Sequence, residues 1–381
     1  MTDRVTAGRA RIERIRAVMR EHEVEVLLAF GSGRHHFIGT NACWWLSGVR
    51  HIGRDAVVAI PLEGEPHLVL TPVWDSERAT RQSWVDSVTA VDDLAGELPG
   101  LLGFRGWSGR ALGIAGTEDS SEAVQAALAV VAPEAPNLMP ELVEMGGRQD
   151  DYAIDCVRRA VEIAEAGYAR LLEIARPGMP EYELASEVDA EMRAHGADDN
   201  FLLISASQHN RAVHAPTDRE LGVGDVILAE ISPSVDGQFA QICRSAVIGK
   251  PNERQRDCFR LLAEAFDIGL RSCRQGVTVP ELAGAINDFL SARGYEKYTK
   301  PPYMRSRGHS MGLGPLVPAD ISDRSDVTLA PGMTFVLHPN QYVPEAGYFL
   351  CGDQVLITDG DAEALSTPQR ELDEIAEVAF A

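Results

Sequence analysis

The chain has no apolar run near the roughly 18 to 20 residues that a membrane-spanning helix needs. Its six cysteines (Cys43, Cys156, Cys243, Cys258, Cys273 and Cys351) include no CxxC pair. The first absence argues against a helical membrane protein, the second against a zinc ribbon or a disulfide scaffold. In a chain of 381 residues, six scattered cysteines read as reduced, mostly buried thiols. Basic residues are also scarce: 35 Lys and Arg stand against 57 Asp and Glu, a formal net charge of −22. That balance disfavours nucleic acid and anionic membrane surfaces as partners and says nothing about fold. Met1-Thr2-Asp3-Arg4 leads into a charged segment without the apolar core of a signal peptide, so a cytoplasmic location is expected.

What is present is ordinary globular composition, 45% hydrophobic and 24% charged, in a chain long enough for two domains. Residues 9–21 form an amphipathic helical pattern with Ile12, Ile15, Val18 and Met19 on one face. Residues 24–30 read as an apolar strand. Residues 56–60 and 67–70 read as strands flanking the turn Glu63-Gly64-Glu65-Pro66. Residues 1–145 are therefore expected to form a small α/β domain. Gly146-Gly147-Arg148-Gln149-Asp150 is the expected linker, and residues 148–381 the second domain.

The second half carries an internal repeat. Glu183-Leu184-Ala185 and Glu281-Leu282-Ala283 each follow a glycine (Gly178, Gly276) and each precede another (Gly196, Gly294) at the same spacing. Each copy reads as a turn, an amphipathic helix and a glycine stop, with long helices at about 151–174 and 253–273 ahead of them. Two copies are too few for a solenoid and suggest duplicated halves around a shared sheet.

Four strings carry the chemistry: His214-Ala215-Pro216, Gly224 to Glu230, Arg307-Gly308-His309-Ser310-Met311-Gly312, and Pro331 to His338-Pro339. In their order and spacing they resemble the pita-bread family of methionine aminopeptidases, Xaa-Pro peptidases and creatinase. The resemblance implies an α/β (α+β) chain: a creatinase-like N-terminal domain and a pita-bread domain with pseudo-twofold halves. Family metalloenzymes hold two ions with two Asp, one His and two Glu. The matching positions here read Glu230, Gln241, His309, His338 and Gly352. Gln241 is neutral and cannot supply the charge of a bridging carboxylate, and glycine has no side chain to coordinate with. Gly352 is expected to leave room in the wall of the site. Asp353 is one residue off and should point to the opposite face of its strand, unless a bulge turns it inward.

The resemblance to creatinase implies a metal-independent hydrolase or lyase, without cofactor, acting on a C–N bond of a small polar metabolite. His214, His309, His338 and Glu230 would be catalytic, with His214 as proton shuttle because its imidazole titrates near neutrality. Gln241, Asp353 and Arg307 would contact substrate. A buried Glu230 would need a partner, either a histidine or Arg244. Arg54, or its neighbour Arg50, would reach the other subunit's pocket in a homodimer and bind a carboxylate. Two alternatives stand beside this. One is a mononuclear metal-dependent Xaa-Pro peptidase-like hydrolase, with Glu230, His309 and His338 as a two-His-one-carboxylate set. The other is a non-catalytic binding module.

Overall fold

The computed structural model describes residues 3–33, 37–313 and 317–377. The chain divides into two compact units, Met1–Tyr152 with Gly312–Leu316, and Ala153–Met311 with Val317–Ala381. No helix among the described residues is long and apolar enough to cross a membrane. All six cysteines are buried and none is in a disulfide.

The first unit is built on a five-stranded sheet of β1 (Val26–Gly31), β2 (Ala56–Pro61), β3 (His67–Leu70), β4 (Ser87–Ala90) and β5 (Leu112–Ala115), in spatial order β4-β3-β2-β1-β5. Alternating residues of β1 feed two cores: Leu27 and Ala29 face one cluster, Val26, Leu28 and Phe30 the other. A strand buried on both faces reads as one apolar run, which is why its sequence shows no alternation. The amphipathic segment begins earlier than its apolar stripe: the helix spans Arg4–Glu21, started by Asp3, whose carboxylate caps the Val5 and Thr6 N–H groups. Ile12, Ile15 and Met19 are buried as its periodicity predicts. The Glu63 to Pro66 turn joins β2 to β3 in antiparallel register.

The second unit repeats one plan twice. In the first half, helices Asp151–Ile174 and Glu181–Ala194 precede β6 (Asp199–Ser207), β7 (Val226–Val235), β8 (Gln238–Phe239) and β9 (Ile242–Ile248). In the second, helices Glu253–Ser272 and Val279–Leu290 precede β10 (Gly308–His309), β11 (Thr334–Leu337), β12 (Gln341–Val343), β13 (Gly347–Phe349) and β14 (Asp353–Leu356). The duplication reaches individual hydrogen bonds. Gly178 N–H donates to Leu221 O and Leu221 N–H to Met179 O, just as Gly276 N–H donates to Leu329 O and Leu329 N–H to Val277 O. Gly224 N–H to Ile248 O matches Gly332 N–H to Ile357 O. Gly178 and Gly276 take the left-handed conformation (φ 81° and 84°), which an L side chain resists, so both turns need glycine.

Candidate functional site

The strands of the two halves are joined backbone to backbone at Cys243 and Gly352. Cys243 N–H donates to Gly352 O at 2.9 Å, and Gly352 N–H returns a bond to Cys243 O at 3.1 Å. On β7, Glu230 lies opposite Cys243. In the other half His338 occupies the corresponding place: it follows Leu337, which pairs with Asp353 as Ala229 pairs with Arg244. Glu230 and His338 are thus equivalent positions of the duplication, one on each side of the Cys243–Gly352 bridge. His309, opposite Val336 in register, presents its ring edge-on to His338 with centroids 5.3 Å apart.

The electrostatics of this cluster come from burial. Burial alone pushes the Glu230 carboxyl up to about 7. Burial, aided by the neighbouring His309, pushes His338 down to about 3, and burial lowers His309 as well. Glu230 makes no hydrogen bond or ion pair through its carboxylate among the described residues. The expected partnership with Arg244 does not form, because Arg244 Nη2 instead meets Asp353 Oδ1 at 2.6 Å. His338 Nδ1 and Gln241 Oε1 are buried without hydrogen-bond partners among the described residues. Gln241 Nε2 lies 3.3 Å from Cys243 Sγ. His309 Nδ1 sits 3.3 Å from Ser310 O, a contact that puts the proton on Nδ1 and leaves Nε2 with its lone pair.

Among the described residues, the side chains of the other expected residues make no hydrogen bond or ion pair with those of Glu230, His309 or His338. His214 is exposed, and among the described residues its ring contacts reach neither Glu230 nor the other two histidines. Its Nδ1 lies 2.8 Å from Ala215 O, which orients Nε2 as the free acceptor. Asp353 does not contact the site. It is fully buried and also accepts from Ser366 Oγ at 2.6 Å, the opposite-face placement its strand position demands. Arg307 is 1% exposed and its guanidinium is used up on Asn287 Oδ1, Pro339 O, Asn340 O and Gln341 Oε1, so it buttresses the His338 turn rather than meeting a ligand. Burial without an acidic partner pushes Arg307 down to about 10. In the first unit, Arg54 is exposed and Arg50 is half-buried with its guanidinium 5.5 Å from the Trp44 ring.

Two site residues, Asn340 and Tyr348, carried no motif signal. Asn340 bonds both the Cys243 thiol and the Tyr348 hydroxyl, and Tyr348 is an electrostatic neighbour of Glu230. Only the strand pairing joins these residues, so spacing along the chain could not have revealed them. Gly352 also departs from expectation. It leaves no room, because a Cβ there would stand 2.5 Å from His338 Cβ and 2.7 Å from Leu337 O.

Comparison with known proteins fixes the class. Residues 155–359 match metallopeptidase family M24, and residues 11–140 match the creatinase/prolidase N-terminal domain. The chain belongs to metallopeptidase family M24. It is 29% identical over 222 residues to the Xaa-Pro dipeptidase of Pyrococcus furiosus, covering 58% of this chain and 63% of that protein. It is 25% identical over 222 residues to an uncharacterized peptidase of Bacillus subtilis, covering 58% and 62%. The match spans less than two thirds of the length of either relative. Among solved structures, the X-Pro aminopeptidase of Thermotoga maritima aligns with a TM-score of 0.83 at 21% identity, over 96% of this chain and 99% of that one. The prolidase of Pyrococcus horikoshii aligns with a TM-score of 0.81 at 22% identity, over 95% and 99%. These structures share the fold.

The comparisons overturn the metal-independent, creatinase-like reading: the family is one of metallopeptidases, and the similar proteins are Xaa-Pro dipeptidases and aminopeptidases. Two of the positions that the resemblance aligns with ligands of a two-ion centre offer no anionic side chain: Gln241 is neutral, and Gly352 has no side chain and no space for one beside His338. For one ion the donor chemistry is present, in the orphaned His338 Nδ1, the His309 ring and a Glu230 carboxylate that nothing else neutralises. Among the described residues, no three His, Cys, Asp or Glu side chains are already gathered as a ligand shell.

Proposed function

We propose that the chain is an Xaa-Pro peptidase-like hydrolase acting on short peptides, in which Glu230, His309 and His338 would hold a single divalent cation. The observation that supports this is at the junction: Glu230 and His338 hold equivalent positions beside it, His309 lies edge-on to His338, and the Glu230 carboxylate and His338 Nδ1 have no hydrogen-bond partner among the described residues. A divalent ion, when bound, supplies polarisation of the scissile carbonyl and acidification of water. The chain's own residues do the rest. His214 moves a proton at Nε2, its Nδ1–H being tied to Ala215 O. Gln241 Oε1 accepts an N–H of the substrate. The protein is proposed to act in the cytoplasm as a homodimer, with Arg54 or Arg50 of one copy near the site of the other.

The test is hydrolysis of a panel of Xaa-Pro dipeptides with and without added Zn, Mn or Co, together with metal analysis of the protein. Cleavage that needs one ion per chain and stops with chelator is the expected result. An ion bound without any cleavage would favour a binding module. Neither binding nor cleavage would overturn the reading. Light scattering showing a monomer would remove the shared site.

A further inference from the structure

With 57 acidic residues to 35 basic ones, arginines in this chain have carboxylates in excess. Many take one: Arg158 pairs with Glu363, Arg219 with Asp225, Arg244 with Asp353. Arg211 pairs with none among the described residues and is held by tyrosine instead. Its Nη1 donates to the Tyr342 hydroxyl at 3.0 Å, and its guanidinium carbon lies 5.4 Å from the Tyr342 ring centroid. His209 Nε2 is 3.2 Å from the same hydroxyl, with its ring edge-on to Tyr342 at 5.9 Å. Tyr342 is itself fixed: it is buried, stacked on Tyr303 at 5.6 Å and 15°, and packed against Tyr298 at 5.6 Å. Arg211 and His209 are exposed beside this anchored ring.

A guanidinium offers five N–H donors in a planar fork. One is used on Tyr342, and the remaining donors match the two oxygens of a carboxylate. Pinning the side chain beforehand lowers the ordering cost that an exposed arginine would otherwise bring to binding. The loop is also tied to the site described above. Asn210, between His209 and Arg211, accepts the Tyr348 N–H at 2.8 Å and donates to Val226 O at 2.8 Å. Tyr348 neighbours Glu230, and β12, which carries Tyr342, follows directly on the His338 turn.

We propose that Arg211, oriented by Tyr342 and flanked by His209, binds the terminal carboxylate of a short peptide. The identity of that ligand rests on the peptidase reading; the anion subsite rests on the geometry of these three residues.

The experiment uses the full chain, with Arg211→Ala, Arg211→Lys and Arg54→Ala. First, L-proline and L-prolinamide are titrated calorimetrically. Wild type should bind proline at least about 10-fold more tightly than the amide, as expected for hydrogen bonds to a charged group. Arg211→Ala should abolish the preference and Arg211→Lys should keep part of it, while Arg54→Ala reports whether Arg54 holds the carboxylate instead. Second, Xaa-Pro dipeptides are compared with their C-terminal amides. Arg211→Ala should raise KM for the free acid about 10- to 100-fold, with kcat nearly unchanged and no effect on the amide. Proline binding through Arg211 without peptide cleavage keeps the subsite and removes the peptidase reading. Cleavage by an Arg211→Ala variant that still discriminates acid from amide as wild type does removes the subsite and keeps the reading. A wild type that binds neither probe, or loss of the preference in Arg54→Ala alone, also overturns the assignment.

Discussion

Gly352 and His338 share one space: a Cβ on Gly352 would stand 2.5 Å from the Cβ of His338 and 2.8 Å from its Cα. The position where the family carries a metal-binding glutamate is closed by the residue that replaces the other one, so the two departures are coupled sterically.

That coupling predicts the sign of two glycine substitutions. Gly352→Ala should destabilise the protein by about 1–3 kcal/mol, the usual cost of forcing atoms into a packed interior. Gly284→Ala, in the helix Val279–Leu290 with nothing within 4 Å of its added Cβ, should stabilise it by about 0.5–1 kcal/mol. Urea midpoints measure both. An unchanged midpoint for Gly352→Ala would show that the strands yield freely and that His338 does not close the position.

The Arg244–Asp353 pair should behave as a buried ion pair rather than as part of the reacting site. Both residues are nearly inaccessible, at 3% and 0% exposure, and their side chains meet at 2.6 Å. Asp353→Asn should cost about 3–5 kcal/mol by leaving Arg244 uncompensated. Denaturation of the variant checks this, and a loss below about 1 kcal/mol, typical of an exposed pair, would contradict it.

A pH dependence follows from His51 in the first unit. It is 2% exposed, and burial pushes its imidazole down from 6.5 to about 4. A base with a depressed folded pKa contributes stability that is fully present above 6.5. That stability is lost as pH falls from 6.5 towards 4, because only the unfolded chain takes the proton readily. The slope from one such group reaches at most about 1.4 kcal/mol per pH unit. Urea titrations at pH 4.5, 5.5 and 6.5 should therefore show a shallower acid-side loss in His51→Asn than in wild type. Parallel curves would mean that His51 protonates in the folded protein.

For catalysis, His214→Ala should lower turnover by about 10²- to 10⁴-fold, the range for removing a general acid–base group. His214→Ala should leave proline binding and the denaturation midpoint nearly unchanged, since the side chain is exposed and, among the described residues, bonds only to Ala215 O. Full activity in this variant, measured on whichever Xaa-Pro peptide is cleaved best, would take the proton-transfer role away from it.

Much of the fold was legible along the chain. The helix stripe of Ile12, Ile15 and Met19, the apolar run of β1 and the paired Glu-Leu-Ala segments are local patterns. Burial of one helix face, or of both strand faces, imposes a period that needs no knowledge of the partner. The start of the first helix was less clear, because Asp3 caps it with a side chain while the apolar stripe begins two turns later.

The sequence by itself determined the family's motif order and the chemical identity of each ligand position, including the loss of charge at Gln241 and of any side chain at Gly352. Such facts are properties of single residues and survive without coordinates. Only the tertiary structure decided the pairings. Arg244 takes Asp353 and leaves Glu230 alone, Arg307 spends its guanidinium on the turn after His338, Asn340 and Tyr348 join the site, and Tyr342 holds Arg211 open. These outcomes depend on strand register and on which donor reaches which acceptor first in a desolvated interior. A side chain's partner there is set by neighbours distant along the chain, which no spacing between motifs encodes.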